Sequence, residues 1–188
     1  MFTEESVQVD VIPKFVEKLS NVNLLKLLDF VFEKLELAGV LCTRFPTFNL
    51  ITLEVSFIKT QLVKPLFTFL QFSPNLESLV FNGVCRDKVN DEALTLDGVP
   101  RCLLMHLKSI KFRYYNGQLK ELDLVQLFLQ NARVLQTVII EISSDHFVNS
   151  DKKKHTAEDV EDFNKKIMEQ LLKYKWASAD CAIKLCSF

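Results

Sequence analysis

The sequence predicts an α/β solenoid: a curved stack of strand–helix units, parallel strands on the concave side and helices on the convex side. Two observations predict it. A short apolar motif recurs five times at near-constant spacing, and apolar residues at helical spacing fill the intervals between recurrences. A third observation narrows the chemistry, because 4 Gly against 16 Phe argues against a Gly-rich nucleotide loop.

The motif opens with Asn23-Leu24-Leu25-Lys26-Leu27-Leu28 and returns as Asn49-Leu50-Ile51-Thr52-Leu53-Glu54-Val55. It continues in Asn75-Leu76-Glu77-Ser78-Leu79-Val80-Phe81, in His106-Leu107-Lys108-Ser109-Ile110-Lys111-Phe112 and in Val134-Leu135-Gln136-Thr137-Val138-Ile139-Ile140. Each copy reads Leu-x-x-apolar, with anchors at Leu27, Leu53, Leu79, Ile110 and Val138 separated by 26, 26, 31 and 28 residues. Those separations lie close to the length of a leucine-rich repeat, roughly 20–29 residues. Alternation at Leu79/Phe81 and Ile110/Phe112 gives period-two strands with one face inward.

The intervals read as helices. Phe15, Val16 and Leu19 precede Ser20-Asn21, and Leu62, Leu66, Phe69 and Leu70 share a face before Ser73-Pro74, where proline stops the helix. Leu122, Val125, Leu127, Phe128 and Leu129 do the same before Asn131. A last helix is expected over Ala157 to Tyr174, with Val160, Phe163, Ile167, Leu171 and Tyr174 on one stripe. Thr156 is its expected N-cap, and its acidic start and Lys173/Lys175 end suit the helix dipole. A strand over 181–186 would close the array. No unit buries its apolar face alone, so neighbours must stack. An ordinary α/β domain whose strands share a Leu pattern is the alternative, and the recurrent Asn-Leu opening favours repeats.

From Phe48 onward the motifs also carry a family likeness. Phe48-Asn49-Leu50-Ile51-Thr52-Leu53-Glu54-Val55 and Phe72-Ser73-Pro74-Asn75-Leu76-Glu77-Ser78-Leu79-Val80-Phe81 resemble the leucine-rich repeats of plant F-box proteins. Val99-Pro100-Arg101-Cys102-Leu103-Leu104, then Leu107 to Phe112, Glu121 to Ala132 and the tail Ala177 to Leu185 resemble the FBD domain that ends many of them. The resemblance implies leucine-rich-repeat-like units over 1–98 and an FBD-like region over 99–188 that continues the same solenoid. It implies the substrate-facing half of such a receptor. Members usually begin with an F-box that docks on the adaptor of a cullin ubiquitin ligase, whereas this chain enters the repeats at Ile12 to Leu28. The adaptor is therefore not an expected partner.

Composition excludes several classes. A net charge of -1 provides no electrostatic reason to expect nucleic acid or an anionic membrane. Hydrophobic residues at 48% suffice for a substantial core. The N-terminus lacks the apolar run of a signal peptide, and every apolar stretch is broken by Lys or Glu well short of a membrane span. Cys42, Cys85, Cys102, Cys181 and Cys186 form no CxxC pair, which reads as reduced thiols in a cytoplasmic or nuclear protein. His146 and His155 fall in a polar loop with Asp145, Asp151 and Glu158, read as solvated rather than metal-binding. The run Lys152-Lys153-Lys154-His155 is answered by Glu158-Asp159 and Glu161-Asp162, as expected of a solvated loop. No local signature supports a nucleophile, so neither catalysis nor a cofactor is expected.

Binding of an unidentified protein partner is the use this architecture offers. One outward row is expected to hold Lys26, Thr52, Ser78, Ser109 and Thr137. The adjacent row is expected to hold Leu28, Glu54, Val80, Lys111, Ile139 and, if the last strand joins, Lys184. The bland explanation is that these residues merely tolerate a strand. Val7, Val9, Val11 and Ile12 precede the first strand, and a poorly covered end there would favour self-association. Two rival functions are a family remnant with no selected partner and a small-molecule sensor using the long Cys85–Val99 loop.

Overall fold

The computed structural model describes residues 18–37, 47–85, 98–143 and 157–187. Six stretches with period-two alternation become strands: β1 (Leu24–Leu28), β2 (Thr52–Lys59), β3 (Ser78–Cys85), β4 (Ser109–Tyr115), β5 (Thr137–Ile142) and β6 (Ala182–Ser187). They form one sheet in the order β1-β2-β3-β4-β5-β6, and every neighbouring pair is parallel. Parallel neighbours need a crossover. Helices provide them: α1 (Asp29–Leu37), α2 (Val63–Gln71) after a short 3-10 turn, α3 (Arg101–Met105), α4 (Leu119–Asn131) and α5 (Ala157–Leu171). The result is α/β with strands and helices in alternation, an arrangement compatible with a solenoid.

One face of the sheet is the core. Its two inward rows in register are Leu25, Leu53, Leu79, Ile110, Val138, Ile183 and Leu27, Val55, Phe81, Phe112, Ile140, Leu185. Leu66, Phe69 and Leu70 of α2 and Leu124, Val125 and Phe128 of α4 belong to the same apolar cluster. The phenylalanines build a connected seam. Phe112 stacks on Phe81 at 4.9 Å, Phe81 meets Phe128 at 5.7 Å, and Phe128 stacks on Phe67 at 5.1 Å. A second group joins Phe48, Phe69 and Phe32. Such pairs contribute about 0.5–1.5 kcal/mol each beyond the area they bury.

The junctions repeat as the strands do. The carbonyl of Asn23 accepts the N–H groups of Ile51 and Thr52, and the carbonyl of Ile51 accepts those of Glu77 and Ser78. Glu77 likewise accepts from Lys108 and Ser109, Lys108 from Gln136 and Thr137, and Gln136 from Ala182. One backbone position thus sets each strand's start against the next. Two residues ahead of each inner strand sits a buried leucine: Leu50, Leu76, Leu107 and Leu135.

This ladder corrects the expected register of the first unit. Leu25, not Leu27, pairs with Leu53, so β1 is shifted by two residues from the sequence alignment. The Asn-Leu text matched Asn23-Leu24 to Asn49-Leu50, yet Leu24 is exposed while Leu50 is buried. A two-residue slip leaves the same residues facing inward, so periodicity alone cannot detect it.

Backbone detail departs from plain pleat at one column. Phe57, Gly83 and Tyr114 have φ of 55°, 86° and 58° and occupy corresponding places in β2, β3 and β4. Each bends its strand so that the next residue turns inward: Ile58 and Tyr115 are buried, and Val84 packs on the core. Beyond this column β5 has no counterpart, and the β4–β5 register shifts between Phe112 and Tyr115.

The last helix ends three residues earlier than its apolar stripe suggests. It closes at Leu171, whose carbonyl accepts the Trp176 indole N–H at 3.0 Å. Lys173 and Lys175 lie beyond it, and Tyr174 is exposed rather than on the buried stripe. Its expected cap Thr156 lies outside the described residues, as do the N-terminal valines, His146, His155 and the 86–97 loop. The helical stretch expected at Phe15, Val16 and Leu19 is described only from Lys18.

Candidate functional site on the open face of the sheet

Opposite the helices, the outward side chains of the six strands form three rows. The first holds Leu24, Thr52, Ser78, Ser109, Thr137 and Ala182, by register. The second holds Lys26, Glu54, Val80, Lys111, Ile139 and Lys184. The third begins Leu28, Ser56, Asn82, Arg113, with Glu141 and Cys186 on the two strands that follow. All eleven residues expected on the face from sequence lie on its strands. The two-residue slip of β1 moves Lys26 from the hydroxyl row to the side of Glu54, and Leu28 to the third row.

That shift has an electrostatic consequence. Lys26 Nζ lies 3.0 Å from Glu54 Oε2, a pair the expected rows would have kept apart. In the hydroxyl row Ser109 Oγ donates to Ser78 Oγ at 3.1 Å. Thr and Ser on adjacent strands cross-link the row without adding charge.

The third row is the more connected one, and sequence reasoning missed it. Asn82 Nδ2 donates to Ser56 Oγ at 3.3 Å, and an Arg113 guanidinium N–H donates to Asn82 Oδ1 at 3.1 Å. Arg113 Nε also approaches Glu141 Oε2 at 3.6 Å, and Lys111 Nζ forms an ion pair with Glu141 Oε1. A chain of polar contacts therefore spans β2 to β5. Extending the period-two count one step past Lys111 and Ile139 would have found Arg113 and Glu141. The sequence motif ended at the second apolar residue, so the row fell outside it.

Elsewhere, side chains with chemical potential serve the core. Cys102 is buried, its thiol donates to the Leu70 carbonyl at 3.7 Å, and burial pushes its pKa up to about 12. Burial also pushes the Cys181 thiol up to about 11. Both thiols stay protonated at neutral pH, which suits packing rather than nucleophilic work. Cys186, on the open face, is only partly buried.

Glu121 is buried at the start of α4, where its carboxylate accepts the Asn116 and Gln118 N–H groups at 2.9 Å each. It closes the helix N-terminus as the third helical residue of a capping box. Its neighbour Tyr115 has its phenol pKa raised, first by burial and then by the carboxylates of Glu121 and Asp123. Among the described residues no group of three His, Cys, Asp or Glu has the arrangement of a metal site. Among them, too, no helix is long and apolar enough to cross a membrane.

Known proteins match parts of this sequence. The FBD family model matches residues 96–140, from the approach to α3 through β4 and α4 into β5. An FBD-associated F-box protein of Arabidopsis thaliana is 33% identical over 75 residues, 40% of this chain and 16% of that protein. An Arabidopsis thaliana F-box/FBD/LRR-repeat protein is 30% identical over 104 residues, 55% of this chain and 23% of its own length. A putative F-box protein of the same plant is 31% identical over 144 residues, 72% of this chain and 30% of its length. The chain thus spans less than a third of the length of each of these three relatives. No solved structure gives a significant match. With an FBD match across its third and fourth helices and two of these relatives carrying both FBD and F-box in their names, the chain belongs to the plant FBD-domain protein family.

Proposed function

We propose that this chain is a non-catalytic protein-recognition module whose open sheet face is the contact surface. It resembles the substrate-recognition half of a plant F-box ubiquitin-ligase receptor. The observation that carries this reading is the face itself: three rows of outward side chains, cross-linked between strands and mixing hydroxyl, apolar and charged groups. Such cross-links restrain the side chains before a partner arrives, which lowers the ordering cost of binding. The recurring carbonyl ladder and the buried leucine ahead of each inner strand support the finer architecture, a leucine-rich-repeat solenoid arc. Self-association through the β1 end belongs to the same proposal, supported by the exposure of Leu24, Leu28 and Phe30 at that edge.

The test is affinity purification of the tagged chain from plant cells, wild type beside Thr137→Trp. Thr137 is outward and partly exposed in mid-sheet, so tryptophan blocks the face while remaining a good strand former. Proteins enriched with the wild type and lost with Thr137→Trp support recognition through the face. An identical set with both chains overturns it. Recovery of a cullin ligase adaptor in either case identifies a working ligase receptor.

A further inference from the structure

We infer that the β4–β6 half of the open face takes an acidic, extended segment of a partner protein, held through Lys111, Arg113 and Lys184. The inference rests on the reading of this face as a recognition surface and adds the chemistry of what it recognises.

The argument is charge distribution. The chain as a whole carries -1, yet its outward rows hold four cations, Lys26, Lys111, Arg113 and Lys184, against two anions, Glu54 and Glu141. The imbalance is not spread evenly. At β1 and β2, Lys26 and Glu54 pair one to one. At β4 to β6, three cations face a single carboxylate. Lys111 and Arg113 both reach Glu141 and divide its charge, while Lys184 is exposed and makes no ion pair among the described residues. The side chains of Lys111 and Arg113 keep 28% and 39% of their surface in solvent, so the surplus charge is presented rather than buried.

Geometry then selects the ligand's form. Lys111 and Lys184 flank Ile139 in one row, two strands apart. Two strand spacings are roughly 9.6 Å, and same-face side chains two residues apart in an extended chain are separated by roughly 6.7 Å, a gap that long lysine and glutamate stems can close. A segment crossing the strands can place acidic side chains over both lysines with Ile139 beneath it. The neighbouring hydroxyl of Thr137 offers a donor alongside. Nucleic acid fits less well. A surplus of two charges releases few counterions.

The test uses fluorescein-labelled octaglutamate, octalysine and an eight-residue Gly-Ser peptide, followed by anisotropy against the full chain at low salt. Octaglutamate is expected to bind saturably and the other two not. Lys184→Glu is expected to weaken it by about five-fold, the scale of a reversed exposed charge contact. Lys165→Glu, the same charge change on α5, is expected to leave binding unchanged. Urea unfolding of both variants checks that the fold persists. Absent octaglutamate binding, or equal loss with Lys184→Glu and Lys165→Glu, overturns the inference. Should it fail while Thr137→Trp still abolishes capture of plant proteins, the acidic partner falls and the recognition surface stands.

Discussion

The inner strands β2 to β5 and the end strands β1 and β6 follow one plan with different results. Ahead of each inner strand, Leu50, Leu76, Leu107 or Leu135 is no more than 1% exposed. The register-equivalent places ahead of β1 and β6 hold Val22, which is half-buried, and Asp180, which is exposed. The inward row behaves alike. Leu53, Leu79, Ile110 and Val138 are fully buried, whereas Leu25 and Ile183 only pack partly against the core. Leucine is equally apolar at Leu25 and Leu53, so residue type does not explain the gap. Burial here is supplied by neighbours on both sides, and an end strand has one described neighbour.

That contrast can be broken most directly by truncating one core position in the centre and one at the end. Phe112→Ala removes a fully buried ring stacked on Phe81 and is expected to cost about 3–5 kcal/mol in urea unfolding. Leu25→Ala, in the end strand, is expected to cost roughly 1 kcal/mol, because its side chain is already partly in solvent. Equal losses would show that the ends are as well packed as the middle.

The C-terminal end has its own clamp. Gly117 has φ of 72°, and a Cβ there would lie 2.5 Å from Phe163 Cζ on α5. Gly117→Ala is expected to cost about 1–3 kcal/mol through steric displacement and left-handed backbone strain. Hydrogen exchange should show α5 loosening more than β3 or β4. Ser178→Ala tests the tie of β6 itself, since the buried Ser178 hydroxyl donates to the Leu135 carbonyl at 2.6 Å. A loss of about 1–2 kcal/mol is expected in the same denaturation assay.

Alkaline pH distinguishes centre from end by another route. Cys102, in the centre, has its pKa raised by burial from 9.0 to about 12, and Cys181, near the end, from 9.0 to about 11. A thiol whose folded pKa is raised stabilises fully below its unfolded value and loses that contribution as pH climbs through the folded one. Stability should therefore decline from pH 9 upward, with Cys102 still contributing a slope after Cys181 has ionised. Cys102→Ala should flatten the decline further up the pH scale than Cys181→Ala, as followed by urea midpoints. The smallest effect belongs to Lys26→Met, which removes an exposed partner of Glu54 and should change stability by about 0–1 kcal/mol.

Much of this organisation was legible beforehand. The Leu-x-x-apolar motif marked all five recurring segments, period-two alternation the last four, and the family likeness supplied the closing strand that becomes β6. The buried face formed by Leu62 of the 3-10 turn and Leu66, Phe69 and Leu70 of α2 followed from helical spacing. The candidate face was readable by residue but not by neighbour. Glu54 was visible as outward, yet its partner Lys26 was assigned to another row. Arg113 and Glu141 went unseen because the motif stops where the inward leucines stop, whereas the strands continue. The bend at Phe57 and Tyr114 had no sequence signal either, since bulky aromatics disfavour positive φ and glycine occupies only the middle of that column.

By itself, the sequence determined which residues alternate, where the strands and the helices α2, α4 and α5 fall, and which side of each strand is apolar. These are local properties, set by side-chain polarity and a backbone period of two or 3.6. Register, the pairing of charges across strands and the depth of burial were decided only by the tertiary structure. A slip of two residues keeps every side chain on its proper face. Only hydrogen bonds from the next strand, such as the Ile51 and Thr52 N–H groups on the Asn23 carbonyl, discriminate between the alternatives.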